Sequence, residues 1–295
     1  MRLPPLQQIL RQPLPGVQIV DVGAMIEGED RYAELVAQGL ARVVGFEPNP
    51  VELARLRQIA APHCEYLPYF LGRGGPATFH QTTHPGCSSL YAPDLAVTDL
   101  FAHIGLGAFH VQETHPVETH RLDDIAECPA PDYLKLDVQA AEHDVLEGAA
   151  RTLASVLVIE AEVEFVPLYQ QQPLFGDLQV LLRTHGFVLH KFVDVAGRAF
   201  RPFVHGDNPR RPMSQLLWAD AIFVREFWAL DRLTPDQLLK TALILHNVYL
   251  SYDLVHHLLR AHDARCGTTY AGAYLQAIAA APQLTTLFMN LRLDD

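Results

Sequence analysis

Short apolar runs and helically spaced segments follow one another through the first eighty residues of the chain. A run that is apolar throughout indicates a buried strand, and apolar positions three or four apart indicate a helix. These patterns predict strands at Val17–Val22, Ala41–Glu47, Glu65–Leu71 and, more briefly, Ala77–His80, with helices at Asp30–Gly39 and from Pro48 to about Ala61. Such alternation favours a parallel sheet with helices on its faces.

The pattern loosens in the middle of the chain and then resumes. Residues from Thr82 to Phe109 are rich in Gly, Pro, Ser and Thr, which predicts a long irregular loop of the kind that forms binding walls. After it, the sequence predicts strands at Val117–Leu122, Tyr133–Val138, Val156–Glu162, Phe187–Val193 and Leu216–Val224, and a helix at Leu174–His185. The prediction is a mostly parallel, seven-stranded α/β sheet.

Beyond residue 225 the sequence pattern changes and predicts helices. Thr234 and Pro235 form a helix start, and helical spacing then continues to about His262, with two further helical stretches after Gly267 and Pro282. We therefore divide the chain into an N-terminal extension (1–16), a cofactor-binding domain (17–228) and a helical appendage (229–295). An apolar stripe in the appendage either covers the sheet or joins a second copy in a homodimer; it comprises Leu243, Val248, Tyr249, Tyr252 and Leu258.

Composition and charge exclude several classes of function. Asp and Glu number 34 against 22 for Lys and Arg, so the net charge of -12 argues against nucleic acid and against an anionic membrane surface. No window of about 18 apolar residues predicts a membrane span, and the Pro-rich N-terminus does not resemble a signal peptide. The four cysteines are scattered without a C-x-x-C pair, so we expect a cytoplasmic protein without a metal site.

The turn after the first predicted strand indicates which cofactor the sheet holds. It reads Asp21-Val-Gly23-Ala24 and lacks the G-x-G-x-x-G sequence of dinucleotide enzymes, and further acids follow at Glu27, Glu29 and Asp30. Acids would repel a pyrophosphate but suit S-adenosylmethionine, which has a cationic amino-acid end and no phosphate. Glu47 ends the second strand, where an acid can accept hydrogen bonds from ribose hydroxyls.

Several segments, in this order, resemble the FkbM-type S-adenosylmethionine-dependent methyltransferases: IVDVGA, VVGFEPNP, CSSLY, THRLDD, DYLKLDVQAAEHDVLEGA and EVEFVPLYQQQPLF. The resemblance covers about residues 17 to 190, and QLLWADAIFVRE with the helical tail resembles a subgroup of the family. It implies a class I, Rossmann-like methyltransferase fold and O-methylation of a sugar or secondary-metabolite hydroxyl. The partner would then be a small-molecule or glycan acceptor.

The resemblance also implies a set of cofactor-binding residues. Asp21, Gly23 and Ala24 would line the methionine part, Glu47 would hold the ribose, and Leu71 with Gly72 would lie near the adenine. Asn49 is a further expected cofactor-binding residue. Ser89 would lie near the adenine or the carboxylate, although capping a turn is an equal alternative for it. Two departures from the family pattern are Met25, where Asn is frequent, and Gln139-Ala140-Ala141-Glu142, where EGAE is more usual.

The acids that follow the later strands are the candidates for chemistry. A hydroxyl acceptor benefits from a base that takes its proton, and a carboxylate or histidine at a strand end can supply one. Asp137 ends its strand and would touch cofactor or acceptor; alternatively, it caps the next helix or pairs with Lys135. Glu160, Glu162 and Glu164 share one face of the next strand. Glu162 is the favoured base or acceptor anchor, with Glu164 as its neighbour.

The sequence therefore predicts an S-adenosylmethionine-dependent O-methyltransferase. One alternative is a protein that keeps the fold and binds the cofactor without turnover, because Met25 and Gln139 depart from the pattern. The other is a nucleic-acid methyltransferase of the same fold, which the acidic balance disfavours.

Overall fold

A computed structural model of the chain describes residues 2–281, apart from 27, 29, 103, 105 and 106. Within that part of the chain, the strands are β1 Val17–Val22, β2 Ala41–Phe46, β3 Cys64–Leu67, β4 Phe70–Leu71, β5 Gly75–Thr82, β6 Val111–His120, β7 Tyr133–Leu136, β8 Val158–Glu164, β9 Phe187–Arg198 and β10 Gln215–Arg225. The helices are α1 Leu6–Leu10, α2 Ala33–Ala37, α3 Pro50–Ile59, α4 Leu95–Thr98, α5 Glu142–Glu147, α6 Phe175–Thr184, α7 Pro235–Asn247, α8 Tyr252–Cys266 and α9 Tyr270–Ala279.

Seven strands form one sheet in the order β3-β2-β1-β7-β8-β10-β9. The pairs β1–β7, β7–β8 and β2–β3 are parallel, whereas β10 runs antiparallel to both of its neighbours. This is the mostly parallel class I methyltransferase sheet that the sequence predicts. The central strands β7 and β8 are largely buried, and β8 nevertheless carries three acids, Glu160, Glu162 and Glu164.

A second, three-stranded sheet in the order β4-β6-β5 corrects one predicted element. The predicted strand Glu65–Leu71 is in fact two: β3 belongs to the main sheet, and β4 pairs in parallel with β6. A single apolar run does not reveal a change of sheet, because pairing partners lie far away in the sequence. The loop from Thr82 to Phe109 is largely irregular where described, with one short 3₁₀ turn and the four-residue α4.

The described chain separates into two compact units. The helical unit draws its described residues from Met1–Val17, Glu29–Arg42 and Glu226–Asp295, and the sheet unit from Gln18–Gly28 and Val43–Arg225. The structure thus groups the N-terminal segment with the C-terminal helices. The boundaries of the three predicted domains do not coincide with those of the two units. The functional roles of these domains stay predictions.

The helical unit shows how its residues form helices and where the predicted ones break. The Thr234 side chain caps α7 and Gln237 reciprocates, which is the start expected from the sequence. The predicted helix to His262 is interrupted, because α7 ends at Asn247 and α8 begins at Tyr252. The helix expected after Pro282 lies outside the described residues. Among those that are described, no helix has the length and apolar character that crossing a bilayer requires.

Candidate active site

The turns that follow β1, β2 and β7 lie against one another through backbone contacts. The Asp137 amide donates to the Val22 carbonyl at 3.0 Å, and the Gly23 and Ala24 amides donate to Phe46 at 3.0 and 3.1 Å. Gly23 has φ +85°, and a Cβ there would lie 1.8 Å from the Asp137 carbonyl oxygen. Only glycine fits this close approach, so Gly23 lets β1 and β7, the third and fourth strands in the sheet order, lie close together at their carboxyl ends.

Asp21 is held by an ion pair that the sequence does not predict. Its Oδ1 lies 3.0 Å from Lys135 Nζ, and both residues face each other in the β1–β7 register. The proposed pairing of Lys135 with Asp137 is therefore wrong, because the neighbouring strand presents Asp21 directly opposite the lysine. Asp21 is 1% exposed, so its charge is buried and needs this partner.

Glu47 and Asn49 form a local arrangement at the end of β2. Glu47 Oε1 accepts a 2.7 Å hydrogen bond from the Asn49 amide, while the Asn49 side chain caps α3 by accepting from Val51 and Glu52. Burial raises the pKa of Glu47 above its usual range, and the Asn49 bond works against that rise. The buried carboxylate is placed where the sequence expects a ribose ligand, and Asn49 has a structural task of its own.

Four acidic side chains gather at the carboxyl ends of β7 and β8, and we call them the carboxylate cluster: Asp137, Glu142, Glu162 and Glu164. One amide joins two of them, because Gln139 Nε2 lies 3.1 Å from Asp137 Oδ1 and 2.5 Å from Glu162 Oε2. Asp137 does not cap the following helix α5, so the helix-capping alternative for Asp137 is wrong. The residue before α5 offers no side-chain cap, and Glu142 instead accepts from the Val138 amide at 2.7 Å.

Burial and mutual repulsion make the carboxyls of Glu142, Glu162 and Glu164 hard to ionise. The pKa of Glu162 is raised well above its usual range by burial and then by the charges of Asp137, Glu164 and Glu142. The pKa of Glu164 rises to about 7, again through burial first and Asp137 second, while the Gln172 side chain opposes the rise. Glu142 shifts the same way through burial and Glu164. Glu164 can therefore exchange a proton near neutral pH, and the pKa values of Glu142 and Glu162 are raised in the same direction.

The long loop is attached to the same turn through Gln139. Tyr169 Oη donates to the Gln139 side-chain oxygen at 3.1 Å or to the Cys87 carbonyl at 3.0 Å, so it bridges loop and turn. Ser89 is buried, donates to the Gln139 carbonyl at 2.5 Å and accepts from the Tyr91 amide at 2.9 Å. These bonds favour the turn-capping alternative for Ser89, and its contact with a cofactor stays a prediction.

Leu71 and Gly72 are not brought into this group by any described contact. Leu71 is buried in the main apolar core, and the Gly72 amide donates to the His120 carbonyl at 3.0 Å. A Cβ on Gly148 would lie 2.1 Å from the Gly72 carbonyl oxygen, so Gly72 packs against the end of α5. Their expected place beside the adenine stays a prediction.

Gln139 and Tyr169 are the functional candidates that sequence reasoning missed. In the sequence, Gln139 is notable only because it departs from the family pattern. In the structure it hydrogen-bonds to Asp137, Glu162, Ser89 and Tyr169. The backbone is unusual here as well, with φ +55° at Gln139 and +82° at Ala140. Most family members have glycine where this chain has Ala140, and glycine adopts a left-handed conformation without strain. That difference was the sequence signal for an unusual turn.

One group of side chains in the described part of the chain has the spacing of metal ligands: His143, Asp144 and Glu147. Arg73 pairs with both acids, at 2.9 Å from Asp144 and 2.5 Å from Glu147. The arginine already neutralises these carboxylates, so their proximity is explained by an ion-pair network.

The chain is similar in sequence to known methyltransferases. Residues 21–189 match the family described as the methyltransferase FkbM domain. A 2-O-methyltransferase, NoeI, from Sinorhizobium fredii is 30% identical over 182 residues, which are 57% of this chain and 72% of that protein.

Solved structures resemble the chain only distantly. The magnesium protoporphyrin IX methyltransferase of Synechocystis with bound SAM aligns at 12% identity and a TM-score of 0.35, covering 75% of this chain and 76% of that one. A precorrin-6y C5,15-methyltransferase from Geobacter metallireducens aligns at 13% identity and a TM-score of 0.35, covering 75% and 85%. These similarities are too low to support the fold assignment, which rests on the strand order and the family match.

Proposed function

The chain belongs to the FkbM methyltransferase family, and we propose that it methylates a hydroxyl group of a sugar or of a glycosylated metabolite. One observation carries the proposal: Glu162 lies at the carboxyl end of β8 with a raised pKa and a hydrogen bond to Gln139. The relative named as a 2-O-methyltransferase supports oxygen as the accepting atom.

The cofactor is S-adenosylmethionine, as the family assignment implies, and it supplies a methyl group on a positively charged sulfur. The residues present fit such a group, because buried carboxylates end β1 and β2 at Asp21 and Glu47. The glycine turn at Gly23 leaves no side chain between β1 and the Asp137 backbone. Asp21, Gly23 and Ala24 would hold the amino-acid end, and Glu47 the ribose.

Glu162 is the residue that we assign as the proton acceptor. As the acceptor oxygen gains a methyl group it loses its proton, and a carboxylate in hydrogen-bond reach can take that proton. A raised pKa makes Glu162 a stronger base than an exposed carboxylate. Gln139 donates to both Glu162 and Asp137 and so keeps the two like-charged groups in fixed positions.

The departure at position 139 is consistent with this role. An acid there would add a fifth carboxyl to the cluster, whereas the glutamine amide donates to two carboxylates and accepts from Tyr169 at 3.1 Å. Tyr169 in turn contacts the loop at Cys87, so the loop and the proton acceptor share one network. In this proposal Gln139 and Tyr169 are positioning residues.

We place the enzyme in the cytoplasm as part of the same proposal. All four cysteines are free thiols, at positions 64, 87, 128 and 266. Free thiols are typical of a reducing compartment.

Isothermal titration with S-adenosylmethionine, followed by transfer of a labelled methyl group to a panel of sugars and glycosides, tests the proposal. We expect cofactor binding that weakens about tenfold or more in Glu47→Gln, because a charged acceptor of ribose hydrogen bonds is lost. Exposed Glu65→Gln on β3 is the matched control and should bind normally. Absence of cofactor binding by the unmodified protein would overturn the proposal.

A further inference from the structure

The hairpin made by the end of β9, the connecting residues and the start of β10 differs from the rest of this acidic protein. We call residues 194–216 the arginine loop, because it has four of the 22 basic residues, Arg198, Arg201, Arg210 and Arg211, against two acids, Asp194 and Asp207. It also carries exposed apolar side chains at Val195, Phe200, Phe203, Val204, Met213 and Leu216, of which Phe203 is 62% exposed. A cationic and apolar surface concentrated in one hairpin indicates a binding site.

The arginine loop is held in a defined shape by its own contacts. Arg198 Nη1 donates to the carbonyls of Gly197 at 2.7 Å and Arg210 at 3.2 Å. The Arg210 amide donates to Asn208 Oδ1 at 2.9 Å, and the His205 ring is 3.2 Å from the Pro212 carbonyl. The loop therefore presents its side chains from an ordered hairpin.

Two of these arginines lie close enough to repel each other. The pKa of Arg198 is lowered by burial and then by the charge of Arg210. Arg198 Nε is buried and has no hydrogen-bond partner among the described groups. An unpaired donor on a guanidinium that lies near a second guanidinium gains from an anionic ligand, which supplies an acceptor and relieves the repulsion.

The loop is continuous with the candidate active site through Trp218. The Arg198 guanidinium lies 4.7 Å from the centre of the Trp218 ring. Trp218 is opposite Glu164 in the β10–β8 register, and Asp220 is opposite Glu162. Residues paired across antiparallel strands share a face. A path along that face therefore leads from the carboxylate cluster past an aromatic ring to the arginines.

We propose that the arginine loop binds the diphosphate of a nucleotide-linked sugar, whose sugar ring reaches past Trp218 to the carboxylate cluster. The planar guanidinium matches phosphate oxygens in pairs. An exposed aromatic such as Phe203 provides a stacking surface for a base. The proposal rests on the proposed function and names its substrate class.

Binding is tested by calorimetry with three probes, UDP-glucose, inorganic pyrophosphate and the neutral methyl glucoside, each without cofactor. We expect UDP-glucose to bind at least tenfold more tightly than methyl glucoside, and to weaken with rising salt. Arg210→Gln/Arg211→Gln should lose about tenfold or more in affinity for UDP-glucose and pyrophosphate and keep its affinity for S-adenosylmethionine. Arg183→Gln, an exposed arginine on α6, is the control and should change nothing.

Three results would overturn the proposal. One is equal affinity of the unmodified protein for UDP-glucose and methyl glucoside, a result that needs no variant to fold. Another is an Arg210→Gln/Arg211→Gln protein with unchanged UDP-glucose binding. The third is retention on phosphatidylserine vesicles without UDP-glucose binding, which would make the loop a lipid contact. Binding of UDP-glucose without binding of S-adenosylmethionine would refute the proposed function and leave the anion site standing.

Discussion

The helical unit and the sheet unit both bury polar side chains, but they satisfy them differently. In the helical unit His246 Nε2 is 3.0 Å from the Pro4 carbonyl, and its Nδ1 is 2.8 Å from Tyr274 Oη. Each ring nitrogen has a neutral partner. In the sheet unit the carboxylate cluster places like charges together, and Gln139 bridges two of them.

This difference separates a structural role from a chemical one. A neutral side chain with both nitrogens paired stabilises the packing around it and has no reason to exchange protons. Carboxyls that repel one another are costly for folding, and such costs cluster at functional sites. We therefore assign His246 to the fold of its unit and Glu162 to the reaction.

The largest effect is expected for Glu162→Gln. Loss of the proton acceptor should lower the transfer rate about 10²–10⁴-fold, while removal of a repelled charge leaves thermal stability unchanged or higher. Glu160→Gln is the matched control, because Glu160 accepts a 2.7 Å bond from Tyr133 Oη two positions earlier on the same strand face. It should keep activity. Similar losses in both variants would contradict the assignment of Glu162 as the proton acceptor.

A smaller effect, on stability alone, is expected for His246→Leu. The change leaves the Pro4 carbonyl and the Tyr274 hydroxyl without partners, at a cost of about 1–3 kcal/mol for each group that stays unpaired. Urea unfolding measures that loss, and methyl transfer per folded molecule should be unchanged. A fall in activity without a fall in stability would contradict the structural assignment.

The two regions should also respond to pH in opposite directions. The raised pKa of Glu164, about 7, adds stability that is complete below about pH 4.5 and lost as pH rises toward 7. Burial lowers the pKa of His246 to about 4, so stability falls as pH drops from about 6.5 to 4. Glu164→Gln should remove the first contribution and leave a steeper loss toward acid, measured by urea unfolding at pH 4.5 to 7. An unchanged slope would contradict the assignment.

The smallest effect concerns the backbone at Ala140, which has φ +82° and is buried. Ala140→Gly relieves the left-handed strain but loses a buried methyl group, as does Ala141→Gly at an ordinary φ of −93°. The first variant should be the more stable of the two by about 1–2 kcal/mol, the cost of that conformation for alanine. Equal unfolding midpoints would show that the strain is absent.

Local pattern was enough to predict much of the fold and part of the candidate site. Buried runs such as Tyr133 to Leu136 identify strands by themselves, and period two places Glu160, Glu162 and Glu164 on one face. The acids at the ends of β1 and β2 follow from the same reasoning. Their binding roles stay predictions until a cofactor titration tests them.

Local pattern could not predict contacts between residues that lie far apart in the sequence. Asp21 pairs with Lys135 because β1 and β7 are adjacent in register, although 114 positions separate the two residues. Gln139 acquires its contacts from a left-handed turn and from Tyr169, thirty positions later. The apolar stripe of the tail is buried within a single copy of the chain, so it offers no exposed surface to a second one. Formation of a homodimer stays a prediction.

We propose that Glu162 takes the proton during methyl transfer. The single-turnover rate of transfer at saturating cofactor and acceptor, measured against pH for the unmodified protein and Glu162→Gln, tests this role directly. Burial and the surrounding acids raise the pKa of Glu162, so we expect the rate of the unmodified protein to rise with pH to a plateau. The variant should be slow and independent of pH over that range, whereas coincident profiles would contradict the account.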